Sequence, residues 1–309
     1  MVKRLISADT SEILAMNGAE LKQSIKASEG RVVLSENVVL HEGIDGLTTS
    51  EIAAAFGADM ILLNALDVLQ PVILGLYKGE ETLQTAKVHT DNQSICRLKK
   101  LVGRPIGVNL EPVDVHANMA EERQEIAKGR RASVETFKAA QALGFSFVVL
   151  TGNPGTGVTN DQIAFNVKLA KKYFDGLVIA GKMHGAGVAE PVVSLAAVKE
   201  FLAAGADVIL VPAVGTVPEF DEADLKEIVK CVHANGGLVM STIGTSQEGS
   251  GASYIENIAI KNKICGVDIQ HIGDAAWGVQ SPFENIYALS KAIRGERHAI
   301  QRMARSINR

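Results

Sequence analysis

Residues 176–187 read GLVIAGKMHGAG. An apolar run rich in β-branched residues ends in a lysine, then a histidine, then glycines. Its length and its lack of polar alternation suit a strand covered on both faces, as in a parallel sheet. Such a strand has no use for an ammonium group at its end. Lys182 must therefore escape to solvent or be held in a site.

The same plan recurs along the chain. Short Val/Ile/Leu-rich runs occur at 31–37, 59–67, 104–112, 145–153, 176–184, 207–215, 237–245 and 267–274. Each is followed by a Gly- or Pro-containing loop and a helical stretch. Several are preceded by "GAD" or "GG", which suits a helix ending in the left-handed conformation. Thr48–Glu51 and Ser281–Glu284 have capping-box spacing, and Asp221 and either Thr159 or Asn160 are suited to N-caps. Strands alternating with helices pair in parallel, because each helix is a crossover. Eight units predict an α/β fold, a closed (β/α)8 TIM barrel, with an extra N-terminal helix over 8–28. No linker or composition shift divides the 309 residues, so one barrel domain spanning 1–309 is expected.

Composition narrows the function classes. The chain is 47% hydrophobic with a formal net charge of -4, so neither nucleic acid nor an anionic membrane is an expected partner. No apolar run reaches the length of a membrane span, and the N-terminus lacks a signal-peptide pattern. Cys96, Cys231 and Cys265 are far apart and read as reduced thiols. A cytoplasmic protein that associates into a homo-oligomer is the expectation. The closing segment "SKAIRGERHAIQRMARSINR" is basic and reads as a solvated face, with Ile300 and Met303 packing on the barrel or another subunit.

Polar residues gather where the strands end, the face that carries active sites in such barrels. Alternation puts Gly107, Asn109 and Glu111 inward on the third strand, and Phe147, Val149, Thr151 and Asn153 on one face of the fourth. Lys182 and His184 share a face with Val178 and Ala180, and Thr242 and Gly244 share one with Met240. On the eighth strand either Asp268 and Gln270 or Ile269 and His271 point inward. The expected mouth joins Lys182, Asn109, Glu111, Asn153 and His184. Lys182 would there be an ion-pair partner, an anion anchor or a Schiff-base nucleophile, with Glu111 or His184 moving protons. The loops "GTSQEGSG" (244–251) and "GDAAWGVQS" (273–281) are candidates for an anionic group, through Gly244, Thr245, Ser246 and Gly273. Glu248 and Asp274 in the same loops would repel it unless turned away.

Other chemistries lack their signatures. "TGNPGTGVTND" (151–161) has no GK[ST] ending, and no GxGxxG or GxSxG motif follows a strand. No cofactor is indicated and no metal ligand is assigned. Glu36, Asp67, Glu111, Asp114, His116 and His184 near the mouth nevertheless admit a magnesium ion. The long connections 68–92 and 112–131 follow strands, so both belong over the catalytic face; whether 68–92 is a lid or an interface is left open.

The eight-unit plan with its loops after strands seven and eight resembles the phosphate-binding TIM barrels. "AAAFGADMILLN" with "LTGNPGTGVTN" is similar to a bacterial barrel family described as phosphoenolpyruvate phosphonomutase-like. The resemblance covers most of the chain and implies the barrel fold, while the mouth residues and loops lead to the expectation of an enzyme acting on a small phosphorylated or carboxylated metabolite. Aldolase-type lyase or isomerase chemistry with Lys182 at the carbonyl is the leading expectation. The rivals are a magnesium-dependent mutase or lyase and a non-catalytic sugar-phosphate-binding barrel.

Overall fold

The computed structural model describes residues 2–79, 82–88 and 92–309. Residues 80, 81 and 89–91, within the 68–92 connection, lie outside them, so the choice between lid and interface is not settled there. Eight strands form a closed parallel barrel in chain order. They are β1 (Val32–Val38), β2 (Met60–Asn64), β3 (Ile106–Asn109), β4 (Phe147–Leu150), β5 (Leu177–Gly181), β6 (Val208–Pro212), β7 (Leu238–Ile243) and β8 (Ile269–Ile272). Seven fall inside their expected windows, and β1 runs one residue past its own, to Val38. Helices α3 (Thr49–Ala55), α4 (Ser94–Val102), α5 (Val134–Leu143) and α6 (Asn160–Tyr173) follow the first four strands. The other four are followed by α7 (Leu195–Ala204), α8 (Glu222–Ala234), α9 (Ala252–Cys265) and α10 (Phe283–Ala304).

Local signals explain most boundaries. Thr48 and Asp221 form capping boxes, and Thr159 caps α6 by accepting from the Gln162 amide. Gly103, Gly144, Gly205 and Gly266 end helices in the left-handed conformation. Ser281 does not cap α10 as its spacing suggests. Pro282 stands at that position, and the Ser281 hydroxyl donates instead to the Glu248 carbonyl, 3.4 Å away. The leading helix is also split. A 3-10 turn at Leu5–Ser7 precedes α1 (Thr10–Ala15) and α2 (Gly18–Lys26), because Asn17 starts a second capping box.

Two apolar layers hold the fold together. One lies between strands and helices. The other fills the barrel with Val32, Leu34, Met60, Leu62, Phe147, Val149 and their counterparts on β5 to β8, continuous with Leu5, Ile6, Ile13, Leu21 and Ile25. The N-terminal segment thus plugs one end of the barrel. Phe147 needs Gly107 across from it: a Cβ there would lie 2.1 Å from its ring.

The C-terminal helix is not simply a solvated basic face. Arg294 and Arg302 are fully buried and converge on Asp59, at 2.6 and 3.0 Å. Asp59 also accepts from the Val33 amide at 2.9 Å, and Arg302 donates to the Leu5 carbonyl. One carboxylate therefore ties β1, the N-terminal turn and α10 together. Ile300 and Met303, by contrast, are 53% and 36% exposed and do not pack back on the barrel. Replacing Asp59 by Asn should cost about 3–5 kcal/mol, since two guanidinium groups lose their buried counter-charge; urea unfolding measures it.

Candidate active site

The inner side chains turn polar as each strand nears its end. Glu36 follows Val32 and Leu34 in phase on β1, and Asn64 follows Met60 and Leu62 on β2. Asn109, Thr151 and His271 do the same on β3, β4 and β8. Glu36, Asn64, Asn109 and Thr151 line a cavity of about 50 Å³, completed by Asn153, Met183, His184, Gly244, Glu248, Gly273 and Asp274, with His271 behind Glu36. It is shaped by strained loops as well. Ala65, Ala186 and Ser246, just beyond β2, β5 and β7, have φ of 61°, 52° and 74°. Non-glycine residues rarely adopt this region, and such outliers cluster at functional sites.

Hydrogen bonds fix the walls. The Asn64 amide donates to Asp274 at 2.9 Å and to Asn153 at 3.0 Å, while its own oxygen accepts from the Ala65 amide at 2.8 Å. Asn153 donates to Glu111 through both its backbone and side-chain nitrogens, each at 2.8 Å. Arg130 holds the same carboxylate at 2.8 Å. Glu111 thus stands behind the cavity and orients Asn153. Glu248 accepts from the Ala275 amide at 2.8 Å. His271 and Glu36 share a fully buried hydrogen bond of 2.8 Å. Among the described residues, Asn109 Oδ1, Thr151 Oγ1, Glu248 Oε2 and His271 Nδ1 are buried without a partner. Unpaired buried polar atoms around a cavity are what a polar ligand would satisfy.

Burial dominates the electrostatics. It pushes the Glu36 carboxyl from 4.5 up to about 8, aided by the negative charges of Glu248 and Glu111. Asp274 rises from 3.8 to about 7, first through desolvation and then through Glu36. Glu248 is raised by burial as well. Burial lowers His271 from 6.5 to about 4, against the pull of Glu248 and Asp274. The Glu36–His271 contact is therefore a neutral hydrogen bond at pH 7 rather than an ion pair. His184 is also brought to about 4, by burial and then by Lys182. Its Nδ1 accepts from the Ala186 amide at 3.0 Å, which leaves the ring proton on Nε2.

The expected constellation is thus brought together only in part. Asn109, Asn153, His184, Gly244 and Gly273 line the cavity. Lys182 does not join them. It shares a face with Val178 and Ala180 as read from sequence, but those two belong to the layer under the helices while Leu177, Ile179 and Met183 point inward. Its ammonium is buried and paired with Glu190, which also accepts from the Asn160 amide at 2.8 Å. Burial lowers the Lys182 pKa although Glu190 works the other way. Lys182 does not pair with Glu111, whose carboxylate is held by Arg130 and Asn153.

The glycine loops serve side chains. A Cβ on Gly244 would lie 2.1 Å from Met183 Sδ, and one on Gly273 would lie 2.9 Å from Glu248 Oε1. Thr245 donates to the Thr216 carbonyl at 2.9 Å, and Ser246 is exposed at the start of a 3-10 turn; neither lines the cavity. With Glu248 and Asp274 turned inward, the lining has three carboxyls and no lysine or arginine. An anionic group seated there would meet repulsion rather than the expected cradle. On β8, His271 is the inward residue.

Asn64, Glu36 and His271 are the functional candidates that sequence reading left out or left open. Their only signal is strand phase: each continues an apolar row by two residues. A metal fits poorly. Asp67 caps the Leu69 and Gln70 amides, Asp114 accepts from the His116 amide and Thr159, and His116 is exposed. Among the described residues no three His, Cys, Asp or Glu side chains are grouped to hold a metal ion.

Residues 6–309 match the family described as Domain of unknown function (DUF7916). The chain belongs to that family. No curated protein matches the sequence. Among solved structures, 2,3-dimethylmalate lyase, a PEP mutase/isocitrate lyase superfamily member, is 14% identical with a TM-score of 0.50, over 84% of this chain and 81% of its own. A structure assigned provisionally as a fructose-1,6-biphosphate aldolase from Coccidioides immitis also scores 0.50 at 14% identity, over 93% of this chain and 96% of its own. At such identities the likeness is one of fold. It agrees with the barrel topology. Among the described residues, no helix is long and apolar enough to cross a membrane.

Two outcomes test the site. A carboxyl whose folded pKa is raised contributes stability that is complete below its unfolded pKa and is lost as pH rises through the folded one. Glu36 should therefore weaken the protein between pH 4.5 and about 8, by at most about 1.4 kcal/mol per pH unit for one proton. Glu36→Gln should flatten that slope in urea unfolding followed against pH. Lys182→Met should lower stability by about 1–3 kcal/mol, as expected of a structural pair, while leaving the Glu36-dependent slope unchanged.

Proposed function

We propose that this barrel is an enzyme of the lyase or isomerase type that moves protons beside a carbonyl group. The observation that supports it is the cavity's set of carboxyls, with Glu36 and Asp274 poised near neutrality. A carboxyl that titrates near the working pH serves either as acid or as base. Asp274, held by Asn64, takes the proton from the carbon beside the carbonyl. Protonated Glu36 donates a hydrogen bond to the carbonyl oxygen as charge develops there, with His271 keeping it oriented. Asn109, Thr151 and Asn153 bind hydroxyl groups of the substrate.

In the lyase direction the same base removes the proton of a hydroxyl one carbon further on. The carbon–carbon bond breaks, its electrons pass to the carbonyl as an enol, and Glu36 supplies the proton to oxygen. No step is routed through a metal. Lys182 acts here as a structural ion-pair partner. The acidic lining favours an uncharged hydroxy-carbonyl head, and the phosphate or carboxylate of an anionic metabolite would have to stay outside it.

The test is proton exchange. Hydroxyacetone, 1-hydroxy-2-butanone, pyruvate and dihydroxyacetone phosphate are incubated in D2O with the protein, and deuterium on the carbons beside the carbonyl is followed by NMR. Faster exchange with the uncharged compounds is expected, and Asp274→Asn should slow it by about 10²–10⁴-fold. Binding without exchange would instead favour a non-catalytic barrel. Exchange only with the anionic pair would favour the phosphorylated or carboxylated substrate.

A further inference from the structure

A second, larger cavity opens beside the first. It has a volume of about 470 Å³ and lies over the ends of β5 and β6, between residues 184–193 and 217–220. His184 borders both cavities. His184 is the residue that the two linings share, so the acidic chamber and the outer one adjoin at its side chain. The imidazole there is neutral, so it places no charge where the two meet.

The outer walls differ in chemistry from the inner ones. Val192, Val193, Val217, Pro218 and Phe220 supply most of the lining. Two carboxylates also border it. Glu190 is neutralised by the buried Lys182 ammonium, and Glu219 stands exposed on its loop. The ion pair that stays out of the inner cavity thus has a place here: it lets a carboxylate sit under an apolar chamber without a free charge.

We propose that the outer cavity is a specificity subsite for an uncharged apolar tail on the substrate whose hydroxy-carbonyl head enters the inner cavity. This rests on the proton-transfer reading for the head alone. The inner volume of about 50 Å³ leaves little room beyond a small head, whereas the outer one takes a chain of several carbons. The substrate class is a 1-hydroxy-2-ketone, or the aldol that yields one, bearing an alkyl or aryl tail. Gly185 offers a way to block the subsite. It lines the outer cavity, its φ is not positive, and a Cβ on it would meet only the Val188 carbonyl oxygen at 3.5 Å. A larger side chain there should occupy the chamber without straining the backbone.

Binding and exchange are measured side by side, by calorimetry and by deuterium incorporation, for hydroxyacetone, 1-hydroxy-2-hexanone and a trimethylammonium-terminated homologue. Each buried methylene should tighten binding about fourfold, so the three further methylenes of the butyl tail should gain about 60-fold over methyl when fully buried. Gly185→Val and Val217→Asp should each remove that gain while leaving hydroxyacetone affinity and exchange unchanged. Equal affinity for methyl and butyl compounds, a preference for the ammonium tail, or a gain that survives both variants would overturn the subsite. Tail-dependent binding without exchange in any compound would sustain the subsite and remove the proton-transfer reading instead.

Discussion

The barrel closes where β8 meets β1, and a buried hydrogen bond between His271 and Glu36 crosses that seam. Neither group reaches solvent, so neither can be charged cheaply, and each holds the other neutral partner in place. Below this bond the inner rows are hydrocarbon; above it they are loops. The Glu36 carboxyl lies at the boundary between the part of the barrel that is packed for stability and the part left polar. Its raised pKa follows from that position, and burial first, with Glu36 second, raises that of Asp274. The chemistry proposed for the cavity is thus a consequence of how the barrel is filled.

Strand phase governs how much of this was readable beforehand. The eight windows, the helix caps at Thr48, Thr159 and Asp221 and the barrel topology all follow from local patterns that tertiary packing did not override. Asn109 and Asn153 were also legible as mouth residues, because they end inward-facing rows, whereas His184 lines the cavity from the loop after β5 rather than through the row it was read with. Lys182 fails for a reason as simple. Its strand is apolar on both faces, so periodicity cannot say which face is inside, and a shift of one residue exchanges the two. The structure turns Leu177 and Ile179 inward, and Lys182 is carried outward beneath the loop that brings Glu190 to it.

Glu248 and Asp274 were hidden differently. They lie in loops whose glycines suggest an anion cradle, and loop direction is not encoded in any period. What the glycines accommodate is bulk from elsewhere: Met183 beside Gly244, and the Glu248 carboxyl beside Gly273. Small residues in a loop report close approach without saying what approaches. Only the three-dimensional neighbours distinguish a phosphate seat from a carboxyl seat.

The two cavities divide the substrate between two physical regimes. In the inner one, unpaired polar atoms and desolvated carboxyls make each hydrogen bond costly to leave unmade, so recognition there is sharp and limited to small hydroxylated groups. In the outer one, apolar walls offer affinity that grows with area and discriminates weakly between shapes. A ligand fixed at its head by Asn109, Thr151 and Asn153 reaches the outer chamber by extending past His184, which borders both cavities. Lys182 is central to that arrangement without touching the reaction: by neutralising Glu190 it keeps the outer chamber free of an unbalanced buried charge, and an apolar tail can then lie there at no electrostatic cost.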